Sequence, residues 1–192
     1  MKNNRKILWF VFVAVLLISC KTQTTNCEIK TTEGSIFIVL YPEKAPNTVA
    51  NFLQYVDKGL YEQASFFRVC NPQNEADREI KIEVIQGGLM DESKDLPPIQ
   101  LETTEQTGIK HLNGVISMAR DQPHSATNSF FICIADQPEL DFEGKRNPDG
   151  QGFAAFGRVI QGMDIVRAIQ KKKDTAQYLI NPVIIESIVR VN

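Results

Sequence analysis

Residues 114–134 read GVISMARDQPHSATNSFFICI, and the fold depends on how this stretch divides. Two apolar, strand-like runs flank a polar loop that is hostile to helix and ends in adjacent phenylalanines. Successive side chains of a strand point to opposite faces. If Phe130 and Phe131 share a strand with Ile132, Cys133 and Ile134, only one ring can enter the core. Phe130 can fill that role, which leaves Phe131 on the opposite face as a binding surface.

Working outward, short apolar runs separated by turn residues recur at 29–31, 35–41, 65–69, 80–86, 115–119, 130–134, 154–160 and 183–191. Eight such runs predict a sheet-rich domain, a sandwich or a barrel. In the last run Val183, Ile185, Val189 and Val191 share one parity, as a strand with one buried face requires. Two segments follow helical spacing instead. Val49, Phe52, Leu53 and Val56 lie between Pro46, which suits a first turn, and Gly59, a terminator. Ile165, Val166 and Ile169 follow Gly162 and Asp164, and Lys171, Lys172 and Lys173 then fall near the helix C-terminus, where positive charge complements the backbone dipole. The lysine run therefore needs no ligand.

The N-terminus carries a different signal. Lys2, Arg5 and Lys6 precede an apolar run over 7–18, shorter than the ~20 residues of a membrane-spanning helix and characteristic of a signal peptide. Leu17-Ile18-Ser19-Cys20 resembles the lipobox of bacterial lipoproteins, in which cleavage precedes an acylated cysteine. An ordinary secretory signal with Cys20 incidental, or an uncleaved anchor, is the alternative. The expected organisation is a lipoprotein signal peptide at 1–19, a lipidated tether at 20–26 (CKTQTTN) and one domain at 27–192. Multiple acylation of Cys20 would supply stable attachment to a membrane, with the domain outside the cytoplasm in a bacterial cell envelope.

A formal net charge of −2 and no basic run beyond the signal exclude nucleic acid as the expected partner. With Cys20 set aside, Cys27, Cys70 and Cys133 are an odd set and imply no disulfide framework. Cys133 reads as a buried thiol, and Cys27 and Cys70 pair only if the fold brings them together. His111 and His124 are the only histidines and no Cys-x-x-Cys occurs, so no metal site is expected. Asp121, His124 and Ser125 are the one tight cluster of acid, imidazole and hydroxyl. Confined to one short loop and without a Gly-x-Ser-x-Gly elbow, they read as turn formers, not as a hydrolase relay.

Phe66-Phe67-Arg68-Val69 places an arginine in a strand otherwise committed to burial, with alternation setting Arg68 opposite Phe67 and Val69. Gln86-Gly87-Gly88, Ser117-Met118-Ala119 and the phenylalanine pair follow. Together these motifs resemble the cyclophilins, a family of peptidyl-prolyl cis-trans isomerases with a Phe-His-Arg-Val/Ile motif, and the resemblance spans nearly all of 27–192. It implies a mainly β fold, a closed eight-stranded antiparallel barrel capped by two α-helices. It also implies that Arg68 is catalytic and that Gln86 is the site glutamine. Val84 takes a pocket position often filled by methionine, and Ile82 replaces a displaced aromatic partner. Phe131 maps to the floor of the proline pocket and Leu140 to a wall, while Ala119 and Arg120 map to the strand end along which substrate backbone lies. Phe153 stands where many members have histidine.

The chemistry so implied needs no nucleophile, metal or cofactor. Rotation about an X-Pro bond faces a barrier of roughly 18–20 kcal/mol from amide resonance. A catalyst need only favour the twisted amide, holding the ring in an apolar pocket while a guanidinium binds the relocalised electron density. Three departures stand out. Ser129 replaces a common glutamine, Glu139 stands where drug-sensitive members have tryptophan, and the segment at 71–79 (NPQNEADRE) is roughly ten residues longer than the family spacing, either a solvated loop or a lip that selects substrates. The expected function is isomerisation of X-Pro bonds in envelope proteins, assisting their folding, by a monomer whose partners are Pro-containing peptide segments. The alternative is a weakly catalytic or non-catalytic Pro-peptide binding or chaperone module.

Overall fold

Alternation is clearest in β2 (Gly34–Leu40), where Ile36, Ile38 and Leu40 are fully buried while the residues between them are only partly covered. The computed structural model describes residues 24–191, so the signal peptide and Cys20 lie outside the described residues. The other strands are β1 (Thr25–Thr31), β3 (Ala64–Cys70), β4 (Val84–Gly88), β5 (Val115–Met118), β6 (Phe130–Cys133), β7 (Ala154–Gln161), β8 (Asp174–Thr175) and β9 (Tyr178–Val191). Their order is β1-β2-β7-β5-β6-β4-β3-β9, and a β1–β9 pairing closes the ring into an eight-stranded antiparallel barrel. The two-residue β8 adds only a hairpin onto β9.

The helices plug the barrel as their spacing predicts. In α1 (Pro46–Asp57) Val49, Phe52, Leu53 and Val56 are all buried, and Gly59 follows the helix with φ of 65°. The helix has no local side-chain cap. Instead Glu102, distant in sequence, accepts from Asn47 N (3.0 Å), Thr48 N (2.9 Å) and Thr48 Oγ1 (2.6 Å), satisfying donors that an α-helix leaves open. Phe52 meets the Phe130 ring edge-on at 5.6 Å, and Tyr61 and Phe66 do the same at 5.6 and 5.8 Å. In α3 (Met163–Gln170) Val166 and Ile169 are buried, and Lys171 caps its C-terminus.

The structure corrects several expectations. A third helix, the one-turn α2 (Thr104–Thr107), joins the two expected, closed by a reciprocal Thr103–Gln106 capping box and by Gly108 with φ of 68°. β1 begins at Thr25, so two residues assigned to the tether pair with Leu40 and Val39; main-chain pairing does not require apolar side chains. β4 begins at Val84, not at residue 80, because Ile82 N donates to Glu75 Oε2 (2.8 Å) and Glu83 N to Gln137 Oε1 (3.2 Å) instead of to a strand. In β9 the shared parity breaks. A register shift opposite Lys30 and Thr31 lets Ile188 take the core face and turns Val189 outward, as a bulge does.

Candidate active site

One row of cross-strand partners organises the outer face of the barrel. Arg68 on β3 lies opposite Gln86 on β4, Gln86 opposite Phe131 on β6, and Phe131 opposite Ser117 on β5. Directly opposed residues share a face, so Arg68 and Phe131 stand two strand spacings apart, about 10 Å. A second row, Cys70, Val84 and Cys133, runs beside the first. With Ile82, Phe131 and Leu140 it forms a small apolar cluster separate from the barrel core. Phe130 and Phe131 divide between the two as alternation requires, with Phe130 in the core and Phe131 in the outer cluster. Phe67 does not. A bulge between Phe66 and Arg68 frees it from the core face that Phe66 and Val69 share, and it stacks on Tyr178.

Above the outer cluster opens a groove of about 460 Å³. Its lining includes Arg68, Ile82, Val84, Gln86, Ala119, Arg120, Ser129, Phe131, Leu140 and Phe153, so every residue expected at the site is brought to it. Arg68 is half-buried. Its Nη1 donates to Gln86 Oε1 (2.8 Å), and its Nε (3.0 Å) and Nη2 both donate to Gln177 Oε1. A guanidinium carries five N–H donors, so two remain for a ligand. The Phe153 ring meets Phe131 edge-on at 5.4 Å and makes the opposite wall.

Arg120 is engaged differently from Arg68. Its guanidinium forms a two-pronged pair with Asp149 (2.7 and 2.9 Å), donates to Gly152 O (2.8 Å) and lies over the Phe153 ring at 5.3 Å. It builds the wall, and only its main chain is left to face a ligand. Glu139 is absent from the lining, since its carboxylate accepts from Lys145 N (2.9 Å). Gly87 and Gly88 let β4 pass close to its neighbours. A Cβ on Gly88, whose φ is 147°, would lie 2.5 Å from Asn128 Oδ1.

Behind the floor lies a buried relay that the sequence reading does not identify. His111 stacks on Phe131 at 5.9 Å. Its Nδ1 meets Asp141 Oδ1 at 2.8 Å and its Nε2 meets Ser117 Oγ at 3.0 Å. Burial pushes the imidazole below its ordinary range despite the Asp141 carboxylate, while hydrogen bonds from His111 hold Asp141 low against its own burial. The neutral ring thus donates from Nδ1 and accepts the Ser117 hydroxyl. With Ser117 fully buried, this triad supports the ring of Phe131 and offers no nucleophile. In the loop, Ser125 Oγ serves Asp121 N and Gln122 N while His124 Nδ1 accepts from Leu101 N, so no relay joins them. The thiols at Cys27, Cys70 and Cys133 are all free and buried, and burial pushes Cys27 and Cys70 up to about 11.

The segment at 71–79 is ordered by its own side chains. Asn71 Oδ1 accepts from Gln73 N and Asn74 N, and Asn74 Nδ2 donates to Val69 O. Glu75 turns inward, 1% exposed, and pairs with the Arg146 guanidinium. Burial would raise its carboxyl, but Arg146 and the Ile82 N–H hold it below its usual range.

Comparison with known proteins places this geometry in a family. The family model described as cyclophilin type peptidyl-prolyl cis-trans isomerase/CLD matches residues 26–190. Peptidyl-prolyl cis-trans isomerase cyp18 of Streptomyces antibioticus is 38% identical over 173 residues, covering 85% of this chain and 96% of its own. Peptidyl-prolyl cis-trans isomerase B of Escherichia coli is 38% identical over 145 residues, 73% of this chain and 80% of its own. Among solved structures, a cyclophilin type isomerase of Cryptosporidium parvum superposes with a TM-score of 0.70 at 20% identity, over 88% of this chain and 99% of its own. The same protein has been solved in the presence of the dipeptide Ala-Pro.

Proposed function

Because the chain belongs to the cyclophilin family and is a peptidyl-prolyl cis-trans isomerase, we propose that the Arg68–Gln86–Phe131 row is its catalytic site and that its clients are proteins of a bacterial envelope. The observation that carries the site assignment is one half-buried guanidinium with two spare donors beside an apolar pocket. The pyrrolidine ring enters between Phe131, Leu140, Val84 and Phe153. Burying its three methylenes contributes about 2 kcal/mol and binds the planar and twisted amides alike, so it sets affinity rather than rate.

Rate comes from Arg68. As the X-Pro bond rotates, conjugation breaks and the lone pair returns to the prolyl nitrogen. The two free N–H groups of Arg68 donate to the electron density relocalised on the twisted amide, and the gain exists only in that state. Gln86, accepting from Nη1, keeps the guanidinium turned toward the groove. Ser129 leaves the groove more open than a longer amide would. The signal-like N-terminus supports processing before Cys20 and attachment of the monomeric domain to a membrane by acyl chains, where the isomerase assists folding of envelope clients.

Two measurements test this. In a protease-coupled assay on an Ala-Pro-containing peptide the full-length protein accelerates isomerisation; binding without acceleration would leave only a Pro-peptide binding module. Cys20→Ser is expected to leave the protein unprocessed or soluble, and unchanged migration and membrane fractionation would dispose of the anchor.

A further inference from the structure

We propose that Gln177, held by the buried Glu75 of the long 71–79 segment, is a positioning residue for Arg68, so that this segment serves turnover and is not merely a solvated lip. The proposal rests on the reading of Arg68 as the catalytic group. Gln177 is 109 residues from Arg68 in sequence, yet its Oε1 accepts from both Nε and Nη2 of the guanidinium. The other end of the same amide, Nε2, donates to Glu75 Oε1 at 3.2 Å. Glu75 in turn pairs with Arg146, which lines the groove, and accepts from Ile82 N, whose side chain belongs to the apolar cluster. A single buried carboxylate therefore ties together the long segment, the loop bearing Arg146 and the β8–β9 hairpin.

The polarity of the chain is consistent throughout. An ionised carboxylate can only accept, so it fixes the Gln177 amide with nitrogen toward Glu75 and oxygen toward Arg68. The amide oxygen then holds one edge of the guanidinium while Gln86 holds another at Nη1, and the two spare donors have one available direction. Orientation of this kind is what separates a catalytic cation from a solvated one.

Backbone strain points the same way. Ala176 and Gln177, the two central residues of the hairpin, have φ of 50° and 76°, a turn that Asn-Gly fills at least cost. A glutamine costs the turn conformational ease there. Its main chain would do its part whatever the side chain, since Gln177 O accepts from Val69 N at 2.8 Å and Gln177 N donates to Asp174 Oδ1 at 3.0 Å. What glycine could not supply is the amide.

The same strain supplies the test. Gln177→Gly suits the turn and removes the amide; Gln177→Asn also suits it and keeps an amide one methylene too short to bridge. Turnover, KM and thermal unfolding are measured on the full-length protein, on these variants, on Arg68→Ala and on Arg68→Ala combined with Gln177→Gly. Both Gln177 variants are expected to unfold at the parent's temperature or above it, with kcat lowered roughly tenfold and KM nearly unchanged. In the Arg68→Ala background Gln177→Gly is expected to cost nothing further. Parent-like kcat in Gln177→Gly, beside a large loss in Arg68→Ala, would overturn the relay and leave the role of Arg68 standing. Equal losses in both backgrounds would overturn it too, since the effect would not pass through Arg68. If Arg68→Ala alone keeps the parent's kcat, the reading beneath the relay fails and the relay goes with it.

Discussion

Removing the Phe131 ring takes away the floor of the groove together with its contacts to His111 and Phe153. Phe131→Ala should therefore raise KM and lower kcat together, and cost about 3 kcal/mol in denaturant unfolding, the lower end for a buried phenylalanine because the ring floors an open groove. Gly88→Ala tests a different constraint. With φ of 147° and Asn128 Oδ1 2.5 Å from the new Cβ, it should destabilise by about 1–3 kcal/mol and push the 127–129 backbone into the groove, read as a lower unfolding midpoint and a higher KM. At this scale much was legible in advance. Arg68, Gln86 and Phe131 stand out because the motifs that carry them resemble those of the cyclophilins, while period-two alternation gives only the face each takes on its strand. Glu75, Arg146 and Gln177 could not be read that way, since their meaning comes from partners as far as 109 residues distant. Nor could the outward turn of Phe67, because a bulge shifts parity without a mark in the sequence.

The elements are held by contacts that cross between them. Glu102 closes the N-terminus of α1 with three hydrogen bonds from across the fold, so Glu102→Ala should lower stability by about 1–2 kcal/mol, measured by chemical denaturation, with kcat unchanged because α1 lies on the core side. A smaller loss in Glu102→Gln would reflect an oxygen that still accepts. Element existence followed from pattern: Val49, Phe52, Leu53 and Val56 of α1 and Val166 and Ile169 of α3 are buried where 3.6-residue spacing put them, while Ile165 packs at the core edge only partly buried. The one-turn α2 also carried a readable mark, Thr103-x-x-Gln106 followed by Gly108, a capping box with its terminator. The true start of β4 carried none, because it is set by the Glu75 and Gln137 side chains taking the backbone donors that a strand would use.

For the molecule as a whole, buried ionisable groups set a pH window. The folded-state pKa of His111 lies below its unfolded value of 6.5, so the unfolded chain binds the proton first and stability falls as pH drops below about 6.5. Glu75 and Asp141 are also depressed, from 4.5 and 3.8, and their contributions are present above those values and lost as pH falls further. A Tm profile should therefore decline in two stages on acidification. His111→Asn should lower the plateau near pH 8 and flatten the first stage; an unchanged slope between pH 7 and 5.5 would count against the buried neutral imidazole. The closed barrel brings β3, β4, β6 and β5 side by side, and the row from Arg68 through Gln86 and Phe131 to Ser117 becomes a site only because of that order. The most direct test is therefore Arg68→Ala, with isomerase turnover, peptide affinity and thermal unfolding measured beside the parent. Turnover should fall by roughly 10²- to 10³-fold, the effect of losing one oriented donor, with affinity and unfolding temperature nearly unchanged. An Arg68→Ala protein that turns over X-Pro peptides at the parent's rate would contradict the account.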